Sequence, residues 1–137
     1  MYGDQLPIYF VPRLSAFYAM AMIALGADGD TLYEFENLLG ASPNEIIDIL
    51  FLITESFSEL EGSTDLKIAN SMWICDEFRI SNSVIETLKE KFDTLVSHSN
   101  FASQTAVENI NEWVYEQTQG LIEEIIQHIP EEAVLIF

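Results

Sequence analysis

Basic residues are scarce in this chain: five Lys plus Arg stand against 23 Asp plus Glu in 137 residues, a formal net charge of -18. Nucleic-acid binding depends on Lys and Arg to neutralise phosphates and release counterions, so DNA and RNA are not expected partners. No basic residue lies between Arg13 and Lys67 and none follows Lys91, so no local patch hides inside the acidic total. The same deficit argues against anionic membrane surfaces and sulfated polysaccharides. Cysteine is limited to Cys75, which excludes an intrachain disulfide and a thiolate metal cluster but leaves the compartment open.

Long apolar runs are also missing. The segment from Leu14 to Leu25 falls short of the ~20 residues that span a bilayer, and Pro12 with Arg13 interrupts it upstream, so no membrane partner is expected. Met1 to Gln5 lacks the basic region, apolar core and cleavage site of a signal peptide, which leaves either an intracellular protein or a start that lies upstream. Repeats, low-complexity segments and linkers are absent, so residues 1–137 are read as one domain.

What the chain does contain is apolar: 49% of its residues, enough for a sizeable core. Leu66 to Phe78 carries β-branched and aromatic residues at short spacing and predicts a largely buried strand, with Asn70 and Ser71 in its middle. Pro7 to Val11 predicts a short strand ending at Pro12. From Leu14 an Ala-rich stretch, apolar on all sides, predicts a buried helix stopped by Gly26. Asp28-Gly29-Asp30 turns the chain into a second helix, with Thr31 and Glu34 at capping-box spacing, Leu32, Phe35, Leu38 and Leu39 on one face, and Gly40 at its end.

The third helix has the clearest start signal, Ser42 as cap, Pro43 in the first position and Glu45 completing the box, and it is expected to run to Leu60 with Gly62 and Ser63 ending it. Ser83 and Glu86 predict a fourth helix through Phe92, and Leu95 to Phe101 a weaker strand. Thr105 and Glu108 open a last helix carrying Val107, Ile110 and Val114, which Gly120 interrupts; Leu121 to Ile126 reads as a short apolar turn before Pro130. Ala133 to Phe137 looks like a strand just beginning, so the chain is expected to be cut there. Helices packed on a sheet make an α+β fold, whose sheet needs more strands than this chain obviously supplies.

Three ordered patterns resemble the serpin family, the serine protease inhibitor fold. Ile68-Ala69-Asn70-Ser71-Met72-Trp73 is similar to the family's Ala-Asn-x-hydrophobic-Trp/Phe strand, with Asn70 and Trp73 in place. Ile110 to Ile122 resembles its Asn-x-Trp-x-x-x-x-Thr-x-Gly-x-Ile helix through Asn111, Trp113, Thr118 and Gly120. Pro7 to Ala27 resembles the family's first strand and buried helix, with Ser15 matching a small polar residue beneath the sheet-opening region and Leu25-Gly26-Ala27 the Leu-Gly-Ala ending. The departures are Pro7 for Asn, Val11 for Ser, one extra residue, Gln119 for Asn or His, and Leu121 for Lys.

The resemblance implies serpin-like helices packed on part of a central β-sheet, incomplete at the carboxyl end. It implies inhibition of a serine (or cysteine) protease by the full-length parent: a reactive loop is cleaved, inserts into the sheet as a new strand and drags the acylated protease along. That loop lies near the family's carboxyl end, and nothing in residues 1–137 stands for it, so this chain should not inhibit alone. An extracellular setting follows from the resemblance, with a cytoplasmic one as the alternative. The alternatives in function are a non-inhibitory serpin-like protein or a short acidic protein-binding module.

No residue stands out as catalytic, and no motif asks for a cofactor or a metal. Cys75 with His98 or His128 would make a nucleophile and base, but Cys75 sits in an apolar strand and reads as a buried thiol. The two histidines lack ligand partners at helical spacing, and Asp28-Gly29-Asp30 lacks the further oxygens of a cation loop. Glu123-Glu124 and Glu131-Glu132 are too ordinary in so acidic a chain to signal acid-base chemistry, and Trp73 and Trp113 read as packing residues. The Ser42 to Leu60 helix corresponds to the one that carries heparin-binding basic residues in some serpins, and it has none. The protein is therefore expected to pass through a heparin column at low salt; firm retention would contradict this.

Overall fold

Ala, Met and Leu dominate the stretch after Pro12, and such residues lose little freedom in a helix. In the computed structural model, which describes the backbone of residues 10–58 and 68–137, α1 runs Phe10–Leu25. Part of the expected Pro7 to Val11 strand lies outside the described residues, but Phe10 and Val11 form the first turn of α1 instead. Pro12 ends a ladder yet is tolerated in a first turn, where no intrahelical donor is needed, so the helix starts ahead of it. The chain divides into two compact units, residues 1–66 and 67–137.

In the first unit, α2 (Gly29–Leu39) and α3 (Pro43–Ser58) follow α1. Asp28 is the true cap of α2, its carboxylate accepting from the Gly29 N–H at 2.7 Å, so Thr31 already lies inside the helix. The α2 face is Leu32, Phe35 and Leu39; Leu38 is 68% exposed and does not belong to it. Gly40 closes α2 at φ 81, a left-handed conformation that suits glycine, and returns its N–H to the Glu36 carbonyl. Tyr18, Ala21, Met22 and Ala24 of α1 and Ile46, Ile47 and Leu50 of α3 are buried. Tyr18 ties these helices together: its hydroxyl lies 3.0 Å from the Leu50 carbonyl and 2.6 Å from Thr54 Oγ1. Burial pushes the phenol's pKa up, opposed by the bond to Thr54.

The second unit contains β1 (Ser71–Cys75), α4 (Asn82–Phe92), β2 (Leu95–Ser99), α5 (Gln104–Gln117) and β3 (Leu135–Ile136). The sheet order is β2-β1-β3. β2 runs parallel to β1 in the register Ser71 with Leu95 through Cys75 with Ser99, and β3 runs antiparallel through Trp73 with Ile136 and Ile74 with Leu135. α4 supplies the crossover that a parallel pair requires. Of the strand expected over Leu66 to Phe78, Leu66 and Lys67 lie outside the described residues, and in the rest the strand is confined to Ser71–Cys75. Asn70 precedes it and gives only its carbonyl to the Leu95 N–H, while beyond Cys75 the Phe78 N–H closes a turn on the Cys75 carbonyl. Arg79 fastens that turn by donating to the Asp76 and Phe78 carbonyls.

Two further helix starts fall earlier than their capping-box spacing suggests. α4 begins after Ser81, whose hydroxyl sits 2.8 Å from that of Ser83 and makes no side-chain cap bond; Ser83 lies in the first turn. α5 begins after Ser103, whose hydroxyl accepts from the Thr105 N–H at 3.2 Å, so Thr105 is inside. Asp93 ends α4 in a left-handed conformation with φ 48. Thr94 follows it, 4% exposed, and its hydroxyl has no hydrogen-bond partner among the described residues. Leaving such a group unpaired costs about 1–3 kcal/mol.

The start of α3 matches its sequence signal. Glu45 Oε2 accepts from the Ser42 N–H at 3.0 Å and from the Ser42 hydroxyl at 2.6 Å. The side-chain and backbone bonds from Ser42 hold the Glu45 carboxyl below its ordinary pKa. A lowered folded-state pKa gives stabilisation that is present above the ordinary carboxylate range and lost as pH falls through the lowered value. Thermal melts at neutral pH should place the intact chain above its Glu45→Ala variant, and the gap should close in strongly acidic buffer. A gap that does not depend on pH would show that the carboxylate is not the stabilising group.

Candidate functional site

The chemistry-bearing motifs of the second unit converge on one face of β1. Ser71, Trp73 and Cys75 alternate onto that face by the two-residue period of a strand. Trp73 is 4% exposed, and its indole N–H donates to the Ser71 hydroxyl at 3.1 Å, so the two polar groups satisfy each other inside the core. Against Trp73 pack Phe101, Ala106 and Ile110, with Trp113, Ile126, Ile129 and Ile136 partly buried around them. Ala106, Ile110 and Trp113 follow one another at helical intervals along α5, which therefore lies over this face.

Beyond α5 the chain returns without regular structure, and three motif residues fasten it. Asn111 is the clamp: its side-chain N–H donates to the Ile126 carbonyl at 2.8 Å, and its oxygen accepts from the N–H groups of Ile125 and Ile126 at 2.9 and 3.1 Å. A carboxamide suits this because it carries its donor and its acceptor on two separate atoms of one short side chain. Thr118 accepts from the Ile122 N–H at 3.1 Å while donating to the Val114 carbonyl at 2.8 Å. Gly120, at φ 81, returns its N–H to the Tyr115 carbonyl at 2.8 Å, and a Cβ there would sit 3.2 Å from the Tyr115 ring.

The remaining motif residues are placed more simply. Asn70 stands at the entrance to β1, half-buried. Ser15, exposed on α1, and Gly26, directly after that helix, belong to the first unit. Cys75 is half-buried beside the Trp73 cluster. His98 pairs in register with Ile74 and so points to the opposite face of the sheet from Cys75. His128, Glu123, Glu124, Glu131 and Glu132 are exposed. Among the described residues no three His, Cys, Asp or Glu side chains converge on a common point, and no helix is long and apolar enough to cross a membrane.

Sequence reasoning located Asn111 and Thr118 but not their partners, because the Asn111 bonds run from a helix to backbone about 15 residues later, where no local pattern reports them. It also missed the conformation of Gln119, which is left-handed with φ 54. What the arrangement offers is a scaffold: a mixed sheet whose central strand is paired on both sides, whose outer strands each keep one open edge among the described residues, and whose one face is roofed by a clamped helix and return.

That scaffold is shared. The family model for serpin (serine protease inhibitor) matches residues 8–137. Neuroserpin of Rattus norvegicus is 33% identical over 128 residues, covering 90% of this chain and 31% of its own length. Neuroserpin of Gallus gallus is 32% identical over 123 residues, 87% of this chain and 30% of its own. The latent-state crystal structure of the thermophilic serpin tengpin matches with a TM-score of 0.79 at 31% identity, over 89% of this chain and 34% of that one. The fold is thus α+β, with helices on an incomplete mixed sheet, as in these relatives. The chain belongs to the serpin family, and it spans about a third of the length of the relatives it matches.

The clamp makes a direct prediction. Asn111→Ala removes three hydrogen bonds at a part-buried position and should cost about 2 kcal/mol in urea unfolding, with faster amide exchange at Ile125 and Ile126. Unchanged exchange at those two amides would show that Asn111 does not hold the return segment.

Proposed function

We propose that residues 1–137 are the amino-terminal portion of a single serpin domain, and that the parent protein inhibits a serine-type (or cysteine) protease by inserting a cleaved loop into its central sheet. The observation that carries this reading is the mixed three-stranded sheet on the family's motifs, with β1 enclosed and, among the described residues, the outer strands each keeping an open edge. An unpaired edge offers a row of N–H and C=O groups to which a further strand adds by main-chain hydrogen bonds. Ser15, Gly26, Asn70, Trp73, Asn111, Trp113, Thr118 and Gly120 serve in this reading as structural residues of the scaffold. No side chain of these 137 residues acts as a catalyst or as protease bait, so the segment alone does not inhibit. The same reading puts the parent outside the cell, with the cytoplasm as the alternative, and gives it neither nucleic acid nor heparin as partner.

A second reading, a short acidic module that binds another protein, draws on the exposed apolar residues Leu121, Ile125 and Val134, which are 88%, 55% and 44% exposed. Native size separates the two. An antibody against the segment from Ser42 to Ser63 should detect a species much larger than 15.5 kDa in the source, and that species should form a covalent acyl complex with its protease that survives denaturation. A native band at 15.5 kDa would remove the loop-insertion reading and leave the binding module.

A further inference from the structure

A cavity of about 520 Å³ opens beside the sheet, between the end of α4, the start of β2 and the second half of α5. Its volume is in the range of small-molecule sites, which span about 300–1,000 Å³. Phe92 and Trp113 give it aromatic walls, while Asn70, Asp93, Thr94 and Gln117 bring polar groups. Two oddities of the second unit fall on this lining and nowhere in the Trp73 cluster. Thr94 is 4% exposed and its hydroxyl has no hydrogen-bond partner among the described residues. Asp93, immediately before it, holds a left-handed backbone at φ 48. Buried unpaired hydroxyls and unusual backbone conformations are retained where the surroundings impose them, and they gather at binding sites.

We propose that this cavity is a binding site for an arylalkyl ammonium, a small molecule with a flat aromatic body and a protonated amine. The aromatic body suits the walls formed by Phe92 and Trp113. The ammonium suits the Asp93 carboxylate and the π face of Trp113, and its remaining N–H donors suit the amide oxygens of Asn70 and Gln117. The charge of the whole chain, -18, enriches cations around the site and repels the corresponding acids. Lys89 also borders the cavity and opposes a cation locally, which provides a control of opposite sign.

The test uses the full 137-residue chain, isotope-labelled and titrated with tryptamine, with indole-3-propionate as the acid of similar shape. Tryptamine should give saturable shifts at the Trp113 indole N–H and at the Asn70, Thr94 and Val96 amides. Indole-3-propionate should bind at least about 10-fold more weakly, Asp93→Asn should weaken tryptamine by about 10-fold, and Lys89→Gln should tighten it by about 2- to 5-fold. Ala69→Trp, at an exposed position on the rim, should block binding by filling the mouth. Absence of saturable shifts, equal affinity for the acid, indifference to Asp93→Asn, or full binding by Ala69→Trp would each overturn the proposal. None of these outcomes depends on whether the parent protein inhibits a protease.

Discussion

Hydrogen bonding on both edges of β1 is the constraint around which the second unit is built. A strand with two partners cannot choose its register freely, because a slip of one residue would carry Trp73 out of its cluster and turn Met72 and Ile74 the wrong way. Parallel pairing with β2 demands a crossover, and α4 supplies it between Asn82 and Phe92. Antiparallel pairing with β3 demands that the chain come back from the far end of α5, which it does through the segment held by Asn111. The clamp, the roof and the crossover are thus separate solutions to one requirement.

Short-range signals are legible where a side chain bonds its own neighbours. The Ser42, Pro43 and Glu45 pattern specifies the start of α3, and Gly40 the end of α2, because each acts within four residues of the backbone it satisfies. Capping-box spacing sets the starts of α2, α4 and α5 a few residues late because Ser, Thr and Asp occur in pairs there. Asp28 competes with Thr31, Ser81 with Ser83 and Ser103 with Thr105, and spacing to a Glu cannot say which of two caps the chain enters. The strand expected to run on to Phe78 stops at Cys75, because the Asp76-Glu77 turn, closed by the Phe78 N–H on the Cys75 carbonyl and fastened by Arg79, takes the chain out of the strand.

Family motifs locate more of the scaffold than periodicity does, since they encode contacts that are distant in sequence. The departures from the motif also gain a physical meaning. Gln119 occupies a left-handed position that Asn tolerates better, because a short amide can bond its own backbone there. Leu121 replaces a common Lys at a site that is 88% exposed, so an apolar side chain stands in water where a charged one would be solvated. Both changes lie in the return segment and leave the Trp73 cluster untouched.

The separation between β1 and its last partner has a bearing on biosynthesis. Ile74 pairs with Leu135, which leaves the ribosome about 60 residues later. At a synthesis rate of roughly 5–20 residues per second, β1 emerges some 3–12 s before β3 exists. Through that interval β2 is, among the described strands, the one partner β1 can recruit, and the edge that β3 will cover stays open to other nascent chains. The sheet of the nascent protein is therefore most vulnerable to mispairing after its central strand has been made and before β3 exists, and the surplus of acidic residues on α5 and the return, arriving in the same interval, repels neighbouring copies while the edge waits.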